Sequence, residues 1–204
     1  LVDVRGALAD DEFIFVAYVD DDRTYVWAFG KSSDVGFEVS KIGRERLGAA
    51  ATQLRRALDP QASTLAEIPD FDTQLAHRLF ENLMAPVGAG WQETPNLIVV
   101  ADGPLGQIPF SLLPTAPASR SEDRAQLFDR YRDVPWLTRT HSVTVMPSVA
   151  SLVALRSLSG TSPADRPFLG FGDPVFDESQ LVQTPIPGAQ AELISRGGLQ
   201  LRNV

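Results

Sequence analysis

Apolar residues run without a break through Asn96-Leu97-Ile98-Val99-Val100-Ala101 and stop at Asp102-Gly103-Pro104. A short apolar run bounded by turn residues predicts a strand covered on both faces, as in a parallel α/β sheet. Upstream, Glu12-Phe13-Ile14-Phe15-Val16-Ala17-Tyr18-Val19 and Thr24-Tyr25-Val26-Trp27-Ala28-Phe29 flank the polar stretch Asp20-Asp21-Asp22-Arg23. Two β-rich runs around a polar turn predict a hairpin. The alternating Gly36-Phe37-Glu38-Val39-Ser40 extends it to an antiparallel meander. The period then changes. Leu47, Ala50, Ala51, Leu54 and Leu58 recur at helical offsets and predict a helix over 44–58, ended by Asp59-Pro60. Leu75, Leu79, Phe80 and Leu83 do the same for a helix over 72–84, closed by Pro86 and two glycines.

From Asn96 onward strands alternate with helices. Strands are predicted over 96–101, 142–146 and 168–172, with a start of one more at Leu199-Gln200-Leu201. Helices are predicted over 149–158, with Ser148 as N-cap, and over 188–196. The Pro-, Ala- and Ser-rich stretch 114–123 reads as a surface loop. Strands separated by helices imply right-handed crossovers and a mostly parallel sheet. The predicted organisation is a β-meander plus helix over 1–60, continuous with an α/β unit over 61–204. A second helix, 72–84, stands before the parallel strands. Val204 falls where a further strand begins, and a three-stranded parallel sheet with a bare edge is not a complete domain. The sheet is therefore expected to be incomplete, and the chain to associate or precipitate when expressed alone. The absence of an initiator Met points the same way, to a piece of a longer polypeptide.

Composition narrows the chemistry. The chain has no cysteine, which excludes disulfides, thiolate metal sites and a cysteine nucleophile within it. Its net charge is −8, with a pI near 4.7. That excess of acid argues against nucleic acid or an anionic membrane as partner, since both need a surplus of Lys and Arg. No apolar run approaches the ~20 residues of a membrane span, and Leu1-Val2-Asp3-Val4-Arg5 does not read as a signal peptide. The expected location is the cytoplasm. The apolar fraction of 44% and charged fraction of 22% are those of an ordinary globular chain.

Candidate reactive groups are few. Asp102 and Asp173 both follow predicted parallel strands, where sheets of this class gather ligands and catalytic groups. Each is equally a turn residue, because Asp-Gly and Asp-Pro are common exits from a strand. His77 lies in an amphipathic helix and His141 directly precedes a strand. Neither adjoins a serine motif, and no Gly-x-Ser-x-Gly elbow exists, so both read as packed or solvated histidines. Two histidines without cysteine make a weak case for zinc. Gly170-Phe171-Gly172-Asp173 lacks the third glycine and the Lys-Ser/Thr pair of a phosphate loop. Asp20-Asp21-Asp22 lacks the remaining ligands of a calcium loop. A hydrolase using Asp102 as acid or nucleophile would need a paired base, and none is visible.

The order of motifs resembles the CHAT domain, a caspase-like domain often found after tetratricopeptide repeats. The residues that carry the likeness are Asp102-Gly103-Pro104-Leu105 after its strand, Ile108-Pro109-Phe110 with Leu113, and Trp136-Leu137. His141-Ser142-Val143, Pro147-Ser148 with Ser151-Leu152, and Leu169-Gly170-Phe171-Gly172-Asp173-Pro174 follow, then Pro187-Gly188 with Glu192. Thr24-Tyr25-Val26-Trp27 is similar to the segment that commonly precedes the CHAT core. The resemblance implies a caspase-like, three-layer α/β fold of the clan CD cysteine peptidase class. It also implies a histidine and a cysteine on later strands, beyond Val204. Neither His77 nor His141 matches the family's catalytic histidine. On this reading the chain is the amino-terminal portion of a caspase-like cysteine endopeptidase, with no catalytic residue, metal or cofactor of its own. Asp102 is its one candidate substrate-binding residue, for a basic side chain before the scissile bond. The implied partners are a protein or peptide substrate, the carboxy-terminal half of the domain and upstream helical repeats. The alternative is a non-catalytic interaction module of the same fold.

Overall fold

A computed structural model of the chain describes residues 2–88, 90–118 and 128–158. The expected strand 168–172, helix 188–196, the strand start at 199–201 and Asp173 lie outside the described residues.

The element order is α1 (Val2–Ala7), β1 (Glu12–Val19), β2 (Thr24–Gly30), β3 (Gly36–Ser40), α2 (Arg44–Leu58) and α3 (Thr73–Leu79). Then come β4 (Asn96–Ala101), β5 (Ser142–Met146) and α4 (Val149–Ser157). Among the described residues between β4 and β5 lie short 3-10 turns at Gly103–Gln107, Phe110–Leu112, Asp129–Tyr131 and Leu137–Arg139. The strands form a five-stranded sheet in the order β3-β2-β1-β4-β5. β1–β2 and β2–β3 pair antiparallel, whereas β1–β4 and β4–β5 pair parallel.

The α/β expectation holds, but the described sheet is evenly mixed rather than mostly parallel. The meander does not stand before the parallel strands. It is built into their sheet through β1, which pairs with β4 from Glu12↔Asn96 to Ala17↔Ala101. The reason lies in β1 itself. Phe13, Ile14 and Phe15 are apolar in succession, so they project to both faces, and all three are buried. A strand apolar on both faces is stable only inside a sheet with cover above and below.

Two layers of helix supply that cover. One face carries Phe13, Phe15, Ala17, Val26, Leu97 and Val99 against Leu47, Ala51 and Leu54 of α2 and Ala76 and Leu79 of α3. The other carries Ile14, Phe29, Ile98 and Val100 against Leu8, Leu152 of α4, and Val4 and Ala7 of α1. This second layer is short. Beyond it Tyr18, Tyr25, Trp27 and Phe37 form a continuous ladder of rings, with centroids 6.4, 6.3 and 5.3 Å apart along the series. Tyr18 and Phe37 are each 53% exposed.

The helices follow the sequence pattern with instructive exceptions. α2 spans the expected residues, yet Leu58 at its last position is exposed while Leu54 is fully buried. The second helix was expected as one piece over 72–84. Asp72 caps it by accepting from Leu75 N at 2.8 Å, but α-geometry ends at Leu79. Residues Phe80–Met84 form a wider π-turn, and Ala85–Val87 a 3-10 turn. Phe80, Leu83 and Met84 are all buried there. Ser148 caps α4 as expected, its Oγ accepting from Ser151 N at 3.0 Å. α1 was not expected at all. Among the described residues no helix is long and apolar enough to cross a membrane.

Candidate functional site at the carboxyl edge of the sheet

Because β1 and β4 are parallel and in register, both release the chain at the same edge. β1 ends at Val19 and β4 at Ala101. The pairing continues one step further, with Asp102 N donating to Ala17 O at 3.3 Å. Asp102 itself is extended, with φ −94° and ψ 152°.

The turn after it is held by backbone and core, not by the Asp102 side chain. Asp102 O accepts from Leu105 N at 3.2 Å. Gly103 sits at φ +54°, a left-handed conformation that costs an ordinary residue roughly 1–2 kcal/mol. Leu105, Ile108, Phe110 and Leu113 are then buried in turn and anchor the segment in the α2/α3 face. Phe110 meets Phe15 of β1 at 5.9 Å between ring centroids. Anchored on both sides, Asp102 keeps an exposed carboxylate that makes no hydrogen bond or ion pair among the described residues.

The end of β1 is fixed by the start of α2. The backbone N of Arg44 donates to Asp20 O at 3.0 Å, and Asp21 O lies at 3.2 Å. The approach is so tight that a Cβ on Gly43 would fall 2.0 Å from Asp21 O. The Arg44 guanidinium reaches across the edge. Its Nη2 donates to Val19 O, its Nε lies 3.6 Å from Asp21 Oδ1, and its Nη1 lies against Gly103. One cation thus bonds the exit of β1 and lies beside the exit of β4. Arg44 was not among the residues singled out from the sequence. The signal was a Gly-Arg pair at the mouth of an amphipathic helix, too common to stand out.

The edge holds the exposed carboxylates of Asp21 and Asp102 and one guanidinium engaged with protein groups. Among the described residues it contains no nucleophile. The two histidines are elsewhere and both are engaged. His141 precedes β5, at the opposite end of that strand, and is 7% exposed. Its Nε2 lies 3.1 Å from Trp91 O and its Nδ1 2.8 Å from Thr140 Oγ1, with the ring edge-on to Trp91. A carbonyl at Nε2 requires the proton there. His77 in α3 is 8% exposed and stacks on Phe80. Its Nδ1 donates to Pro114 O at 2.9 Å, and its Nε2 lies 3.5 Å from Glu81 Oε1 without hydrogen-bond geometry. These are packing histidines. Among the described residues no group of His, Asp and Glu could hold a metal ion.

A family model described as the CHAT domain matches residues 73–196. No curated protein matches significantly. Among solved structures, one titled "Alp12 filament structure" is similar over 74% of this chain and 47% of that chain, at 8% identity and a TM-score of 0.33. The chain thus spans about half the length of that structure.

Proposed function

The chain belongs to the CHAT domain family, and on that premise we propose that it is the amino-terminal portion of a caspase-like cysteine endopeptidase. In this reading the sheet is the first part of a three-layer caspase-like core. Later strands add parallel neighbours and bring a histidine and a cysteine to the carboxyl edge. The thiolate attacks the peptide carbonyl, and the histidine protonates the departing amine. The chain described here supplies the floor and one specificity group.

The observation that carries this reading is the state of Asp102. Its strand ends at the edge where α/β sheets bind ligands. Its carboxylate is exposed and makes no hydrogen bond or ion pair among the described residues, and the turn it starts is held by backbone and core groups. A free carboxylate at that place can take a basic side chain in a bidentate, charge-assisted contact, best with Arg. The test is hydrolysis of Arg-containing peptides by the complete protein, before and after alkylation of its thiols. Thiol-sensitive cleavage supports the reading, and unchanged cleavage or none defeats it.

A second reading keeps the fold and removes the chemistry. The ring ladder of Tyr18, Tyr25, Trp27 and Phe37, exposed at its two ends and half-buried between them, favours it, since contiguous apolar surface of this kind commonly marks an interaction face. In that case the complete protein binds partners normally after its thiols are blocked.

A further inference from the structure

The outer surface of the α2/α3 layer carries a groove unrelated to the carboxyl edge. Ile42, Leu75 and Leu79 line a hollow of about 290 Å³ between the two helices and the end of β3. Leu79 is buried, and Ile42 and Leu75 are half-buried. Around them stand Lys41 from the β3–α2 link, Arg46 from α2 and Arg78 from α3. All three are exposed.

The rim of this hollow is basic, although the chain as a whole has 26 acidic and 18 basic residues. Lys31 pairs with Asp10, Arg55 with Asp59 and Arg156 with Glu12. Lys41, Arg46 and Arg78 make no ion pair among the described residues, although they come from different segments and converge on one hollow.

The geometry points to a docking groove for an acidic, amphipathic peptide segment of a partner protein. An apolar side chain such as Leu or Phe fills the hollow, and Asp or Glu residues beside it meet the rim cations. The volume sits at the lower limit for small-molecule sites, roughly 300–1,000 Å³. It suits one or two side chains of a peptide better than a cofactor. An inorganic anion would use the rim and leave the apolar floor wet. The groove shares no residue with the Asp102, Gly103 and Arg44 edge, so this inference stands whether or not the peptidase reading does.

Fluorescence polarisation with the full chain decides it. The probe is a labelled synthetic peptide alternating Asp and Glu with Leu and Phe. One control replaces Leu and Phe by Ser, and the other replaces the acids by Lys. The expected result is salt-sensitive binding of the probe, with both controls weaker by about tenfold or more. The double reversal Arg46→Glu with Arg78→Glu should weaken the probe by about tenfold, equivalent to ~1.4 kcal/mol, at an unchanged melting temperature. Should that variant be unstable, Lys41→Glu in the link reads the same loss. No binding, equal binding of the Ser control, or binding indifferent to every reversal overturns the proposal.

Discussion

Arg44 and Gly103 touch across the ends of two parallel strands: a Cβ on Gly103 would lie 2.9 Å from Arg44 Nη1. Gly103 also holds a left-handed backbone, φ +54°. Two independent constraints therefore meet at one residue beside Asp102. Gly103→Ala should destabilise the chain by roughly 1–2 kcal/mol from backbone strain alone. It should also push the guanidinium off Val19 O. Gly103→Asn should cost less in strain, because Asn tolerates this conformation. Chemical denaturation of both variants checks the order. Equal stability of Gly103→Ala and the parent would contradict it.

Gly43 is constrained for a different reason. Its φ of −97° is open to any residue, but its Cβ would fall 2.0 Å from the Asp21 carbonyl oxygen. Backbone cannot swing aside as a guanidinium can. Gly43→Ala should cost about 2–3 kcal/mol, at the upper end for overpacking. That exceeds the loss for Gly103→Ala. The two denaturation midpoints, measured side by side, test whether the steric term outweighs the conformational one here.

His141 joins the start of β5 to Trp91 through a buried hydrogen bond and a ring contact. His141→Ala leaves the Trp91 carbonyl without that partner in the interior. The expected loss is about 1–3 kcal/mol, the usual cost of a buried unsatisfied group. If the complete protein cleaves peptides, this variant should keep its kcat at temperatures where it remains folded. A kcat loss without a stability loss would give His141 a catalytic part that its geometry does not support.

Much of the fold was legible because local pattern and burial coincide. The spacing of Leu47, Ala50, Ala51 and Leu54 defines α2 and is buried as spaced. The run Leu97 to Val100 is a strand covered on both faces. What was missed is non-local. Nothing in residues 12–19 names β4 as the parallel neighbour of β1, and that pairing crosses some eighty positions of chain, as in Glu12↔Asn96. The doubly apolar Phe13-Ile14-Phe15 was a usable sign that β1 is a central strand, and a hairpin reading passes over it. α1 is six residues long with no helical repeat to detect. It exists because Val4 and Ala7 pack against the Ile14 and Phe29 face. At the candidate site, Asp102 was visible from its place after a strand. Arg44 was not, because its role depends on where the turn Asp20 to Arg23 lands.

The central proposal is that Asp102, exposed at the sheet edge, receives a basic side chain of the substrate. Its most direct measurement uses the complete protein and paired peptides with Arg or Ala before the cleavage site. Asp102→Asn removes the charge and keeps the shape. The account predicts a fall of about ten- to a hundredfold in kcat/KM for the Arg peptide, as expected for losing a charge-assisted contact of roughly 1.5–3 kcal/mol. The Ala peptide and the melting temperature should be nearly unchanged. Equal losses on both peptides, or a marked drop in melting temperature, would assign Asp102 to the architecture of the turn and contradict the account.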